Sequence, residues 1–184
     1  MQDYAPDAKA ACAEYALVGH ASRRAVGETE SIIAEKLALA VRDGLIPVLC
    51  VGESRTERDS GVTHGVLKRQ IKEGLSRLMN PHTLQCVGVN PVVYIAYEPI
   101  WAISSGKDAE QCSPETVVHR IAYIKEQLLH LGYGVAAQYL YGGSITAKNA
   151  AHYLNSKDIN GLLVGAVSVI PKELKKIWHL ASKS

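Results

Sequence analysis

The sequence predicts an α/β protein built on a parallel sheet. Short apolar runs alternate with stretches whose apolar residues recur at helical spacing, and strand–helix–strand repeated in this way means parallel strands joined by right-handed crossovers. Charged residues and glycines gather just past the C-terminal end of each run. In parallel α/β proteins those positions share one face and border one pocket.

The first strand candidate is YALVG at 15–19, which leads into His20. The second, IPVLCV at 46–51, runs into Gly52 and Glu53. Leu67, Ile71, Leu75 and Leu78 then mark the apolar stripe of a helix. The third candidate, VVYIAY at 92–97, reads as a buried strand because Val92, Val93 and Ile95 stand in an apolar run that stops at Glu98-Pro99. Pro99 lacks the N–H to continue a ladder, and it holds Glu98 extended at the strand's carboxyl end. Ser113 is placed to cap a helix with Pro114 at its first position; Val117, Ile121, Ile124 and Leu128 form its stripe, and Gly132 ends it after 131. The fourth strand candidate, VAAQYL at 135–140, leads into Tyr141-Gly142-Gly143-Ser144, and Thr146 is placed to cap the next helix. The fifth is LLVG at 162–165.

These make five βα units. No Pro/Ser-rich linker, low-complexity run or repeat divides residues 1–184, so a single domain is expected. Periodicity leaves two arrangements open, a doubly wound sheet and part of a (β/α)₈ barrel. A core drawn from Val, Ile, Leu and Ala, with no Phe in the chain, suits packed barrel layers.

Composition narrows the function. A formal net charge of +2 is too small to argue for nucleic acid or a membrane surface as partner. No apolar run approaches the roughly 18 residues of a membrane span, and the N-terminal MQDYAPDAKA lacks an apolar signal core. Cys12, Cys50, Cys86 and Cys112 are widely spaced without a C-x-x-C pair, and the seven histidines show no H-x-x-x-H pattern. Reduced thiols, no metal site and a cytoplasmic setting are the expectations.

The string VVYIAYEPIWAISSGK at 92–107 resembles the sixth strand, catalytic glutamate and closing loop of the triosephosphate isomerase family. The resemblance runs from about residue 12 to the C-terminus, covers the family's fourth strand onward, and decides for the barrel. It implies that Glu98 is the general base that moves a proton between adjacent carbons. Pro99, Ile100, Trp101, Ala102, Ile103, Ser104, Ser105, Gly106 and Lys107 would form the lid that excludes water. In ALVGHASRR, Gly19, His20, Arg23 and Arg24 match the family's Gly-His-Ser-Glu-Arg-Arg, so His20 would be the electrophile that polarises the substrate carbonyl. Ala21 and Ser22 depart from that motif, Ser22 replacing a glutamate. Ser104, where the family has glycine, would offer its backbone N–H to the substrate phosphate. YGGSI at 141–145 and LLVGAVS at 162–168 resemble the family's phosphate-binding turns, implying Gly143, Ser144, Gly165 and Ala166 as phosphate-binding residues. PVLCVGES matches the fifth-strand motif, with Glu53 in a positioning role.

The resemblance therefore implies interconversion of dihydroxyacetone phosphate and D-glyceraldehyde 3-phosphate without cofactor or metal, on a small phosphorylated sugar as partner. A four-carbon ketose-phosphate isomerase is the alternative within enzymes, and a catalytically weak remnant that binds phosphate or a partner chain is the alternative outside them. The family's first three βα units have no counterpart in this sequence. They hold an Asn-x-Lys motif, whose lysine neutralises substrate charge, and the long loop that builds most of the family's homodimer contact. Asn155-Ser156-Lys157 matches that motif in letters only, because it follows a helix. A fragment, a truncated product, or half of an assembly closed by another chain would each account for this.

Overall fold

The computed structural model describes residues 12–78, 92–103, 110–132 and 137–183. Five parallel strands form one sheet: β1 (Tyr15–Val18), β2 (Ile46–Val51), β3 (Val93–Tyr97), β4 (Ala137–Tyr141) and β5 (Gly161–Leu162). Each strand pairs with the next in sequence, in the order β1-β2-β3-β4-β5. A doubly wound sheet reverses its strand order at a switch point, and this one does not. The helices are α1 (Ala21–Ala25), α2 (Glu30–Arg42), α3 (Arg55–Asp59), α4 (Thr63–Gly74), α5 (Pro114–His130), α6 (Ala150–Leu154) and α7 (Pro171–Ala181).

One face of the sheet carries the helical layer. Val18, Leu49, Val51, Val93, Ile95, Tyr97 and Tyr141 pack there against Ile33 and Leu37 of α2, Leu67 and Ile71 of α4, and Val117, Ile121, Ile124 and Leu128 of α5. The other face holds a separate small cluster, Val48, Cys50 and Ala96, flanked by Tyr94, Leu140 and Leu163, all from strands or the residue just past β5. Winding in one direction with helices on one side is the architecture of a partial (β/α)₈ barrel, whose inner layer is this second cluster. The inner layer is open toward β1, where Tyr15 and Leu17 are 50% and 48% exposed.

The local signals act as their chemistry requires. Ser113 caps α5 by accepting from the Thr116 N–H, and Pro114 occupies the first turn, where no N–H partner is lost. Gly132, at φ +69, ends the same helix in the left-handed region. Thr146 differs from expectation: α6 starts later, with Asn149 at its N-cap, and the Asn149 carboxamide accepts the Thr146 N–H at 2.8 Å. The last strand is also displaced, since only Gly161 and Leu162 pair with β4. The helix before Asn155 places Asn155-Ser156-Lys157 after α6.

Candidate active site

Glu98 stands one residue past β3, and the backbone around it is tied to both neighbouring strands. Its N–H donates to the Val51 carbonyl at 2.7 Å, Gly142 N–H donates to the Tyr97 carbonyl at 2.9 Å, and Ile100 N–H donates to the Glu53 carbonyl at 2.9 Å. Two glycines clear the space it needs. A side chain at Gly52 would overlap the Glu98 carbonyl, and a Cβ at Gly142 would fall 2.7 Å from Glu98 Cγ. Along β3 the side chains of Tyr94 and Ala96 point to the inner layer, and Glu98 continues that alternation.

The carboxyl group is 4% exposed with the rest of its residue, and burial pushes its pKa up from the ordinary carboxylate value. His20, the Cys50 thiol and Arg24 oppose that rise without cancelling it. Oε1 lies 3.6 Å from His20 Nε2, while Oε2 is buried with no hydrogen-bond partner among the described residues. Burial by the same neighbours, with the Glu98 charge beside it, raises the pKa of the Cys50 thiol far out of range, so it acts as a neutral wall.

His20 leaves β1 through Gly19, which sits at φ +73, and caps the short α1. Its Nδ1 accepts the Ser22 backbone N–H at 3.2 Å and lies 2.9 Å from Ser22 Oγ. A ring that accepts at Nδ1 carries its proton on Nε2, the atom facing Glu98. Ser22, a departure from the family's glutamate, thus still orients the ring. Arg24 knits the corner: Nε donates to Gly19 O at 2.7 Å, Nη2 to Cys50 O at 3.0 Å, and Nη1 pairs with Glu30. Sequence reasoning gave Arg24 and Gly142 no role. Arg24's bond to Cys50 and Gly142's contact with Glu98 cross between βα units, and the clues were Arg24's place in the matched GHASRR motif and Gly142's place in YGGS.

Glu53 is a correction to the single-pocket expectation. Val51 faces the helices and Gly52 the inner layer, so Glu53 returns to the helical side, away from Glu98. There its buried carboxylate accepts Tyr97 Oη at 3.1 and 3.2 Å and the Trp101 indole N–H at 2.9 Å. Burial and the Glu53 charge raise the Tyr97 pKa well out of range, keeping it a donor. After Pro99, residues Ile100–Ala102 form a 3₁₀ turn, with Ala102 N–H donating to Pro99 O at 2.8 Å and Ile103 at its end. Ser104, Ser105, Gly106 and Lys107 lie outside the described residues, as does Cys86.

Among the expected phosphate residues, Ser144 is held to this turn. Its N–H and its Oγ both donate to the Ala102 carbonyl at 2.8 Å. Gly143 is buried, and any side chain there would strike the Tyr141 hydroxyl. Gly165 and Ala166 are exposed beyond β5, where Gly165 precedes the 3₁₀ turn Ala166–Val169. Ala166 is not in the left-handed region, so alanine fits this backbone without strain. The structure thus brings together His20 and Glu98, and separately Ser144 and Ala102, along the C-terminal edge of one sheet.

A family model for triosephosphate isomerase matches residues 5–181. The chain is 39% identical over 173 residues to the triosephosphate isomerase of Thiobacillus denitrificans, a match covering 92% of this chain and 66% of that protein. It is 38% identical over 172 residues to that of Nitrosococcus oceani, covering 91% and 64%. For that of Aquifex aeolicus the figures are 37% over 169 residues, 90% and 64%. The chain spans just under two thirds of the length of these relatives. Sequential parallel strands, a buried glutamate beside a histidine at their C-terminal edge, and a family match across nearly the whole chain agree: the chain belongs to the triosephosphate isomerase family.

Proposed function

We propose that this chain carries the base, the electrophile and the phosphate turns of an isomerase that interconverts dihydroxyacetone phosphate and D-glyceraldehyde 3-phosphate. The observation that carries the reading is the Glu98–His20 pair, with Oε2 buried and unpartnered among the described residues and Nε2–H turned toward the carboxylate. Glu98 removes a proton from the carbon next to the substrate carbonyl, and its raised pKa makes it a stronger base than an exposed carboxylate. His20 Nε2–H donates to the carbonyl oxygen as negative charge builds there, giving an enediolate. The proton of the neighbouring hydroxyl passes to that oxygen, and Glu98 returns its own proton to the former carbonyl carbon, so the new carbonyl forms at the adjacent position and the base is regenerated.

The phosphate is held by backbone N–H groups at Gly143, Ser144, Gly165 and Ala166. Ser144 must exchange the Ala102 carbonyl for a phosphate oxygen, which couples phosphate arrival to movement of the Pro99–Ile103 segment. Glu53 is a positioning residue through Trp101 and Tyr97. A cytoplasmic setting and the family's homodimer belong to the same proposal.

The test is solvent exchange at carbon. Incubating the chain with dihydroxyacetone phosphate in D₂O and following deuterium at the C–H by NMR detects even slow proton abstraction. Exchange that disappears in Glu98→Gln is expected. Exchange persisting unchanged in that variant, or absent from the parent even when the family's first three βα units are supplied, overturns the reading.

A further inference from the structure

Helix α3 follows Glu53 directly, and a reciprocal Ser54–Glu57 capping box makes its first turn rigid. Arg55 and Arg58 are three residues apart on it and converge on one carboxylate from across the structure. Arg55 Nη1 donates to Glu110 Oε2 at 2.7 Å, and Arg58 Nη1 donates to Glu110 Oε1 at 2.8 Å. Arg58 Nε also donates to Asp59 at 2.9 Å, so its guanidinium is held from two sides. The same guanidinium lies over the Trp101 ring, 4.3 Å from its centroid. Trp101 in turn donates to Glu53 at 2.9 Å, and Glu53 accepts from Tyr97, the residue before Glu98.

This is a continuous chain of contacts, Glu110 to Arg58 to Trp101 to Glu53 to Tyr97, and the backbone closes it through Glu98-Pro99-Ile100-Trp101. Each exposed ion pair taken alone holds little. Two arginines sharing one carboxylate, with the second stacked on an indole, restrict one another.

We infer that Arg58, anchored by Glu110, whose other oxygen Arg55 holds, is a positioning residue that holds Trp101 against Glu53 and thereby sets where Glu98 stands. The effect on Trp101 follows from the contacts alone. The effect on turnover rests on the reading of Glu98 as the base.

The chain has two tryptophans, and Trp178 is 70% exposed, so Trp178→Phe leaves Trp101 as the sole tryptophan, excited apart from the nine tyrosines, at little structural cost. In that background, Glu110→Gln and Arg58→Gln are each expected to shift Trp101 emission to longer wavelength and lower its anisotropy. Raising KCl should move the parent in the same direction, because an exposed ion pair is screened. The double variant should show less than the sum of the two single effects, and Glu110→Asp should recover part of the parent signal. In the deuterium-exchange assay, Glu110→Gln should slow exchange at saturating substrate, a loss that a change in phosphate affinity alone does not produce. Trp101 emission and anisotropy unchanged in both single variants, or strictly additive effects, would overturn the inference. Failure of the isomerase reading is separately visible as exchange that does not depend on Glu98, and it leaves the fluorescence result standing.

Discussion

Replacing Glu98 by glutamine should stabilise the folded chain while removing its proposed chemistry. The carboxyl is buried, Oε2 has no hydrogen-bond partner among the described residues, and Oε1 faces His20 Nε2 at 3.6 Å. Its pKa is raised in the folded state above the roughly 4.3 of an unfolded glutamate. The sign follows from proton counting. Below about pH 4 both states hold the proton and ionisation costs nothing. As pH rises past the unfolded value, the unfolded chain releases its proton first, so folded stability falls until the folded pKa is passed, and the penalty is then constant. An unpaired buried polar group costs about 1–3 kcal/mol, and more when it is charged. The amide of glutamine also lacks a full set of partners, so the expected net gain at pH 8 is about 1 kcal/mol. Urea unfolding of parent and variant from pH 4 to pH 8 measures it, and the difference between the two cancels the titrating groups that do not contact Glu98. The parent midpoint should drop relative to the variant across that window. A variant less stable than the parent at pH 8, or a difference that does not change with pH, would refute the reasoning. The destabilised base is then the cost of holding a reactive carboxylate out of water.

Three further outcomes are expected. Gly142→Ala puts a Cβ 2.7 Å from Glu98 Cγ and 3.0 Å from Oε1, so the base must move. Overpacking should cost about 1–3 kcal/mol by urea unfolding, and a displacement of about 1 Å should slow carbon exchange on the order of 10²-fold. Glu53→Gln leaves a buried amide donor facing the Tyr97 hydroxyl and the Trp101 indole N–H, which should cost about 1–3 kcal/mol and lower the thermal midpoint by about 2–4 °C per kcal/mol. Finally, adding the family's first three βα units, fused or as a separate chain, should raise isomerase turnover of the 184-residue chain by at least 10²–10³-fold, roughly the loss measured for one missing transition-state donor. Equal turnover with and without them would show that neither the lysine nor barrel closure is needed.

Much of the architecture was legible along the chain. The stripe Val117, Ile121, Ile124 and Leu128 is fully or almost fully buried, Ser113 and Pro114 start their helix, and Pro99 ends β3 just past Glu98. Strand ends were less legible, because β5 depends on what β4 offers as a ladder and not on its own apolar run. Thr146 opens a turn instead of α6: the N–H groups of Asn149 and Ala150 both donate to the Thr146 carbonyl, and the helix begins only after Asn149. Glu53 shows a further limit. Its side was implicit in the alternation from Val51, yet a shared strand end suggested a shared pocket.

Periodicity and punctuation by themselves determined five parallel βα units and a carboxylate and a histidine at strand ends, because burial of one face and the backbone limits of proline and glycine are local properties of the chain. The family resemblance of the sequence decided for the barrel; tertiary structure alone decided that His20 and Glu98 stand 3.6 Å apart and that Arg58 meets Glu110 across 52 positions of sequence. Apolar spacing records that a residue is covered, but a hydrogen bond or ion pair depends on which atom of a distant segment arrives at 3 Å, and that is set only when the strands pair and the helices dock.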